Sequence, residues 1–266
     1  MFAMPTLLSL LAHPDDAEIL CGGTLILLAD LGWEIHVASM SPGDCGSTTL
    51  PPDEIAAIRR REGSDGARAL AGAYHCLEER DLRIHYERET SSKACGLLRE
   101  VRPDVVITHS PTDYMLDHEE TSRIARAACF NAPIPNAPAP AGSADPLEHI
   151  PTLYYADPTE GVDTLGRAVR PSLVVDVSDV EERKLSAVAK HSSQREWLRA
   201  QHGIDEYVEG TRQWGRDRGK LVNVDHAEGF RQHLGHAYPR ENILASALGE
   251  RAHSIASDPD TGGCDP

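Results

Sequence analysis

The sequence predicts an α/β fold: a Rossmann-like, mostly parallel sheet with helices on both faces. Short runs rich in Leu, Val, Ile and Tyr alternate with longer helical patterns, the order that wraps a parallel sheet in helices. Runs such as Leu7 to Leu11 and Val105 to Ile107 are nearly continuous in apolar character, as expected of strands covered on both faces. Two of these runs pass directly into polar turns bearing His and Asp, at the strand edge where open α/β sheets bind ligands.

Taken in order, the first strand is expected from Thr6 to Ala12. Pro14 ends it, because proline cannot donate to a ladder and fixes its own φ, and a helix follows from Ala17 to Leu31. A strand over Glu34 to Met40 leads to a helix over Asp53 to Gly72. A strand over Leu82 to Tyr86 precedes a helix over Thr90 to Val101, and a strand over Asp104 to His109 precedes a helix over Asp117 to Phe130. Strands follow at Thr152 to Ala156 and Ser172 to Val177, then one long helix from Asp179 to Gln201. The intervening stretch 131–151 is proline-rich, which rules out regular structure and predicts an ordered surface loop or a flap over substrate. A single domain over residues 1–253 is expected, with a disordered tail over 254–266.

The formal charge of −16, from 42 acidic against 26 basic residues, argues against nucleic acid or an anionic membrane as partner. The first residues carry no positive region, and no stretch approaches the length of a membrane span, so a cytoplasmic protein is expected. The cysteines Cys21, Cys45, Cys76, Cys95, Cys129 and Cys264 include no C-x-x-C pair, so a bound metal would rely on His and carboxylate rather than a thiolate cluster.

The turn His13-Pro14-Asp15-Asp16-Ala17-Glu18 places an imidazole and three carboxylates at the end of a buried strand. Asp15 and Asp16 diverge in direction, so one can ligate a cation while the other stays free beside it. Asp15 and Glu18 also have the spacing of a helix N-cap and its partner three residues on. The second turn, Ser110 to Glu120, supplies His118. If both strands are parallel members of one sheet, His118 arrives beside His13 and Asp16, and two nitrogens with one carboxylate oxygen suit zinc with a position open for water. Asp117 and Glu120 again have capping spacing. A dinucleotide-binding enzyme would need G-x-G-x-x-G after the first strand, where this chain has His13-Pro14-Asp15-Asp16.

The chain resembles the PIG-L/LmbE-type zinc-dependent N-deacetylases, which act mainly on N-acetylglucosaminyl compounds. The resemblance is carried by His13 to Glu18 with Gly22-Gly23, by Ser41-Pro42-Gly43-Asp44, by Arg59 to Glu62, by Asp113 to His118 and by Lys184 to Gln194. It implies an LmbE-like fold, Zn²⁺ on His13, Asp16 and His118, Asp15 as general base, and Arg59 and Asp113 at an N-acetylated sugar substrate. It implies homo-oligomers as well, and His191 and Gln194 as residues that brace the site. Family members often read His-Pro-Asp-His where this chain has Met115-Leu116-Asp117-His118. Met115 can neither stabilise an oxyanion nor protonate an amine, which leaves His109 or His191 as substitutes, or a metal- or sugar-binding protein of the same fold with weak or no hydrolytic activity.

Overall fold

The computed structural model describes residues 4–195 and 206–255. In chain order its elements are β1 (Thr6–Leu11), α1 (Asp16–Asp30), β2 (Glu34–Ser39), α2 (Pro52–Ala69), β3 (Ala73–Cys76), α3 (Arg88–Val101), β4 (Val105–Thr108), α4 (Leu116–Asn131), β5 (Thr152–Ala156), β6 (Leu173–Asp176), α5 (Glu181–Val188), α6 (Glu206–Gly219), β7 (Ala227–Gln232), α7 (Ile243–Leu248) and β8 (Ala252–Ser254). Among the described residues these strands form one eight-stranded sheet in the order β3-β2-β1-β4-β5-β7-β6-β8.

The fold begins with a strand apolar on both faces. All six residues of β1 are buried, and side-chain alternation divides them between two cores. Leu7 and Leu11 pack with Leu25, Leu28 and Val175 on one face, while Leu8 and Leu10 pack with Leu98, Ile124 and Val106 on the other. Each such fully buried side chain contributes about 1.5–3 kcal/mol. β1 pairs in parallel with β2, Leu7 opposite Ile35, and with β4, Leu7 opposite Val105. The chain runs outward from β1 to β2 and β3, then returns across the sheet to β4. The turns after β1 and β4 therefore open side by side at a topological switch point, where such sheets bind ligands.

Beyond β5 the sheet becomes mixed, because β7 runs antiparallel to both β5 and β6, and β8 antiparallel to β6. The α/β class with a mostly parallel sheet is as expected, but several elements differ. Leu82 to Tyr86 is not a strand: Asp117 accepts from the backbone N–H of Leu82 at 2.7 Å and of Ile84 at 3.4 Å, and Leu82 stands at φ 62°, so the segment serves the site instead of a ladder. The edge strand is β3, four residues with no fully buried side chain. The expected long helix is broken: it stops at Val188, the chain turns so that His191 buries against Glu18, and helix resumes over 192–195, where Ser193 bonds to Glu62. Residues 196–201 of that expectation lie outside the described residues, as do 256–266 of the expected tail. Part of the proline-rich stretch anchors on α3, where Arg99 donates to the carbonyls of Ala132 and Ile134. Its tip, Pro140 to Ala144, lines a groove beside β3 and α3.

Candidate metal and hydrolytic site

Pro14 ends β1, and the chain turns through Asp15 at φ 110°, a conformation costly for a residue with a side chain and one that marks sites where geometry is imposed. Asp16 then opens α1. Its Oδ2 accepts the His13 backbone N–H at 2.7 Å and lies 3.5 Å from His13 Nδ1, while its Oδ1 lies 3.8 Å from Nε2 of His118. One ligand atom each from His13, Asp16 and His118 lies within 4.8 Å of the others.

The outward nitrogen of each imidazole is pinned to a carboxylate. His13 Nε2 lies 3.0 Å from Asp81 Oδ1 and 3.4 Å from Asp117 Oδ2, and His118 Nδ1 lies 3.0 Å from Asp113 Oδ1. Pinning one nitrogen fixes the ring and turns the other inward, the usual arrangement behind metal-ligating histidines. The donor set therefore fits a divalent cation. Burial pushes the His13 imidazolium down, but Asp117, Asp16 and Asp81 outweigh it and hold its pKa well above the ordinary histidine range. Burial pushes Asp16 up, yet His109 and His118 hold its carboxyl well below the usual carboxylate range.

Asp15 faces different partners. Its Oδ2 accepts the Tyr207 hydroxyl at 2.6 Å and an Arg59 Nη2 contact at 3.3 Å, leaving Oδ1 for other chemistry. Burial raises its pKa and Arg59 draws it partly back. Arg59, only 4% exposed, also donates to the Pro14 carbonyl at 2.9 Å and lies 3.5 Å from the Gly43 carbonyl. Glycine is required there, since a Cβ on Gly43 would lie 2.4 Å from Arg59 Nη1. Neither Asp15 nor the residue before α4, Met115, makes a side-chain capping bond, so these acidic turns are not helix caps.

His13, Asp15, Asp16, Arg59 and His118 all line one cavity of about 880 Å³. Asp113, expected at the substrate, is 2% exposed and braces His118 behind the wall. Met115 does line the cavity, whereas His109 and His191 are fully buried and do not. His109 stacks on His118 with centroids 3.9 Å apart and lies 3.1 Å from Asp16 Oδ2 through Nε2, and burial beside His118 pulls its pKa down to about 4, so it braces Asp16 and His118 from behind the cavity wall. Gln194 reaches the cavity and donates to the Gly46 carbonyl at 3.0 Å. The sequence reading missed Asp81 and the face of α6 carrying Tyr207, Thr211 and Trp214, all at the cavity. No local motif marks them, because their roles arise only when distant segments meet.

Residues 8–129 match the family model described as PIG-L, GlcNAc-PI de-N-acetylase. The diacetylchitobiose deacetylase of Thermococcus kodakarensis is 28% identical over 191 residues, covering 68% of this chain and 67% of that protein. The 4-oxalmesaconate hydratase of Pseudomonas putida is 24% identical over 188 residues, covering 66% and 69%. Among solved structures, the N,N'-diacetylchitobiose deacetylase of Pyrococcus horikoshii, in complex with an inhibitor, superposes with a TM-score of 0.74 at 27% identity, covering 90% of this chain and 88% of that one.

Proposed function

We propose that this chain, whose residues 8–129 match the PIG-L de-N-acetylase family model, is a zinc-dependent hydrolase removing the N-acetyl group from an N-acetylglucosamine-type sugar conjugate. The observation that carries this reading is the inward convergence of His13, Asp16 and His118 beside an Asp15 whose contacts among the described residues fall on Oδ2, at one wall of a large cavity. Deacetylases of N-acetylated sugars among the relatives support it.

When bound by His13, Asp16 and His118, zinc supplies Lewis acidity, bringing the pKa of water toward about 7 and polarising the acyl carbonyl. Asp15 Oδ1 accepts a proton as the water oxygen bonds to the carbonyl carbon. Tyr207 and Arg59 hold the other oxygen and so fix the plane of the carboxylate. The C–N bond then breaks, the proton held on Asp15 passes to nitrogen, and acetate and a free amine result. His109 and His191 take no part, being walled off from the cavity, and Met115 offers no proton, so Asp15 both takes and returns it. Asp113, Asp81 and Asp117 act as positioning residues for the two imidazoles.

The same site could add water to a carbon–carbon double bond, which is what the hydratase relative is named for. Acetate release from a panel of N-acetylglucosaminides with zinc present, run beside an oxalmesaconate-type acid, separates the two. Asp15→Asn is expected to keep zinc and lose about 10²-fold or more in turnover, while His13→Ala loses the metal. A near wild-type rate for Asp15→Asn refutes the base assignment.

A further inference from the structure

In the hydrolysis proposed above, Asp15 returns its proton to nitrogen, so the leaving amine and its sugar lie on the Asp15 side of the metal site. Tyr207 of α6 and Arg59 of α2 stand there too. The remaining bond of the tetrahedral carbon, to the rest of the acyl group, then points away from Asp15 toward the imidazoles. On the imidazole side the cavity is lined by Leu82, Tyr114 and Met115. The ring of Tyr114 meets His118 edge-on with centroids 5.4 Å apart, and Leu82 donates its backbone N–H to Asp117, which lies against His13.

This side is apolar and open. Leu82, Tyr114 and the adjoining Leu116 are 61%, 65% and 62% exposed, and the bond from Leu82 to Asp117 brings the three together in one rim. Leu82 also stands at φ 62°, a left-handed conformation unfavourable for so bulky a residue. A single surface leucine is ordinary, but a contiguous apolar rim at the mouth of a cavity marks contact with something apolar. The acids beside it are engaged elsewhere. Asp81 and Asp117 lie on His13 and Asp113 on His118, Glu119 accepts from the Asp113 backbone, and Glu120 accepts from Arg123 and the Tyr86 backbone. Cys45 on the same wall is a neutral thiol, its pKa pushed up by burial and Asp81. Glu160 lines a different part of the cavity, in the loop whose Gly161 lies against Arg218 of α6.

We propose that Leu82, Tyr114 and Met115 form an acyl pocket, and that the enzyme prefers an N-acyl amino sugar whose chain is longer than acetyl, butyryl or beyond. An acetyl methyl covers little of three large side chains, whereas each further methylene buried against them adds about fourfold in binding. Met115, unbranched and adaptable, suits a flexible chain. The bonds made and broken stay the same: the water oxygen joins the acyl carbon, the C–N bond breaks, one proton passes from water to nitrogen by way of Asp15, and a carboxylic acid and a free amine leave. The proposal rests on the deacetylase reading above and extends it to the acyl half of the substrate.

Amine release by the zinc enzyme is measured on methyl N-acetyl-, N-butyryl- and N-hexanoyl-glucosaminide, which differ only in the acyl chain. From acetyl to butyryl kcat/KM is expected to rise about tenfold, mostly through KM, as two partly covered methylenes would give, with no fall at hexanoyl. Leu82→Asn removes the apolar side chain and suits the left-handed backbone better than leucine does. Combined with Tyr114→Ser, it should bring the butyryl-to-acetyl ratio near one, a ratio read within each enzyme and so unmoved by a general loss of activity. Should the double variant not fold, Leu82→Asn alone must lower the ratio. A wild-type rate that is level or falls from acetyl to butyryl, or a ratio unchanged in the variant, overturns the pocket. If no amide in the series is cleaved, the deacetylase reading falls. Calorimetric binding of the intact N-hexanoyl and N-acetyl compounds then decides the pocket: a hexanoyl preference that the variant loses upholds it, and equal binding overturns it.

Discussion

Tyr207 and Arg59 both approach Asp15 Oδ2, and that shared choice of oxygen is what gives the carboxylate a direction. Tyr207→Phe removes the shorter of the two contacts and lets the plane of the carboxylate rotate. The expected result is a fall in kcat of about 10- to 100-fold, the order lost when a reacting group is misplaced, with KM and zinc content unchanged. Steady-state kinetics beside metal analysis checks this, and a wild-type kcat would mean that Arg59 suffices. His13 makes a separate prediction. Burial disfavours its charge, but Asp117, Asp16 and Asp81 raise its pKa well above the ordinary value, so zinc must displace a proton there at neutral pH. Apparent zinc affinity should climb by about tenfold per pH unit below that raised pKa. Chelator competition between pH 5.5 and 8 measures it, and a flat profile would contradict the assignment of His13 as a ligand.

At the scale of elements, Gly22 and Gly23 sit together in α1 and answer to different surroundings. A Cβ on Gly23 would lie 2.7 Å from Val177 Cβ and Cγ1 and 3.1 Å from Glu228 Oε1, whereas one on Gly22 meets nothing closer than 3.4 Å. The Gly23 and Thr24 N–H groups also donate to the two oxygens of Glu228 at 2.8 Å each, locking α1 against β7. Gly23→Ala should therefore cost about 1–3 kcal/mol through overpacking. Gly22→Ala should be neutral or stabilise by up to about 1 kcal/mol through helix propensity. Thermal unfolding of the pair measures both, and equal shifts would remove the steric argument. The same contact explains what the sequence conceals. β1 and β4 are legible because they are mostly Leu, Val and Ile, and every position of both is buried. β7 reads Ala-Glu-Gly-Phe-Arg-Gln, and its buried Glu228 becomes tolerable only once Lys184 and the α1 backbone meet it. α6 contains three glycines in fourteen residues, so its local propensity is poor, and packing makes it the wall of the cavity. His13, Asp16 and His118 could be picked out because a strand, a turn and a ligand type coincide locally. Tyr207, 192 residues from Asp15, carries no such signal.

Across the whole molecule, the parallel and antiparallel halves of the sheet are joined by a buried charge cluster. Lys184 of α5 lies 2.8 Å from Glu228 of β7, both nearly inaccessible, and Glu228 in turn holds α1. Glu181, one turn before Lys184 and 2% exposed, has no hydrogen-bond partner on either oxygen among the described residues. Burial raises its pKa to about 7, with Lys184 pulling it down and Glu228 pushing it further up. Its unfolded value is near 4.5, so folding takes up a proton between the two. The stability it lends is therefore complete below about pH 4.5 and is lost as pH rises through 7. Above that the ionised, buried carboxylate destabilises the fold by about 3 kcal/mol, at 1.36 kcal/mol per pKa unit. Glu181→Gln keeps the shape and removes the charge. Denaturant unfolding should find it close to wild type at pH 4 and about 2–3 kcal/mol more stable at pH 8. The general repulsion of a chain with charge −16 acts on both proteins nearly alike and cancels in the difference. A Gln variant no more stable than wild type at pH 8 would mean that Glu181 has found a partner when ionised, and that the junction of the two half-sheets is fully neutralised.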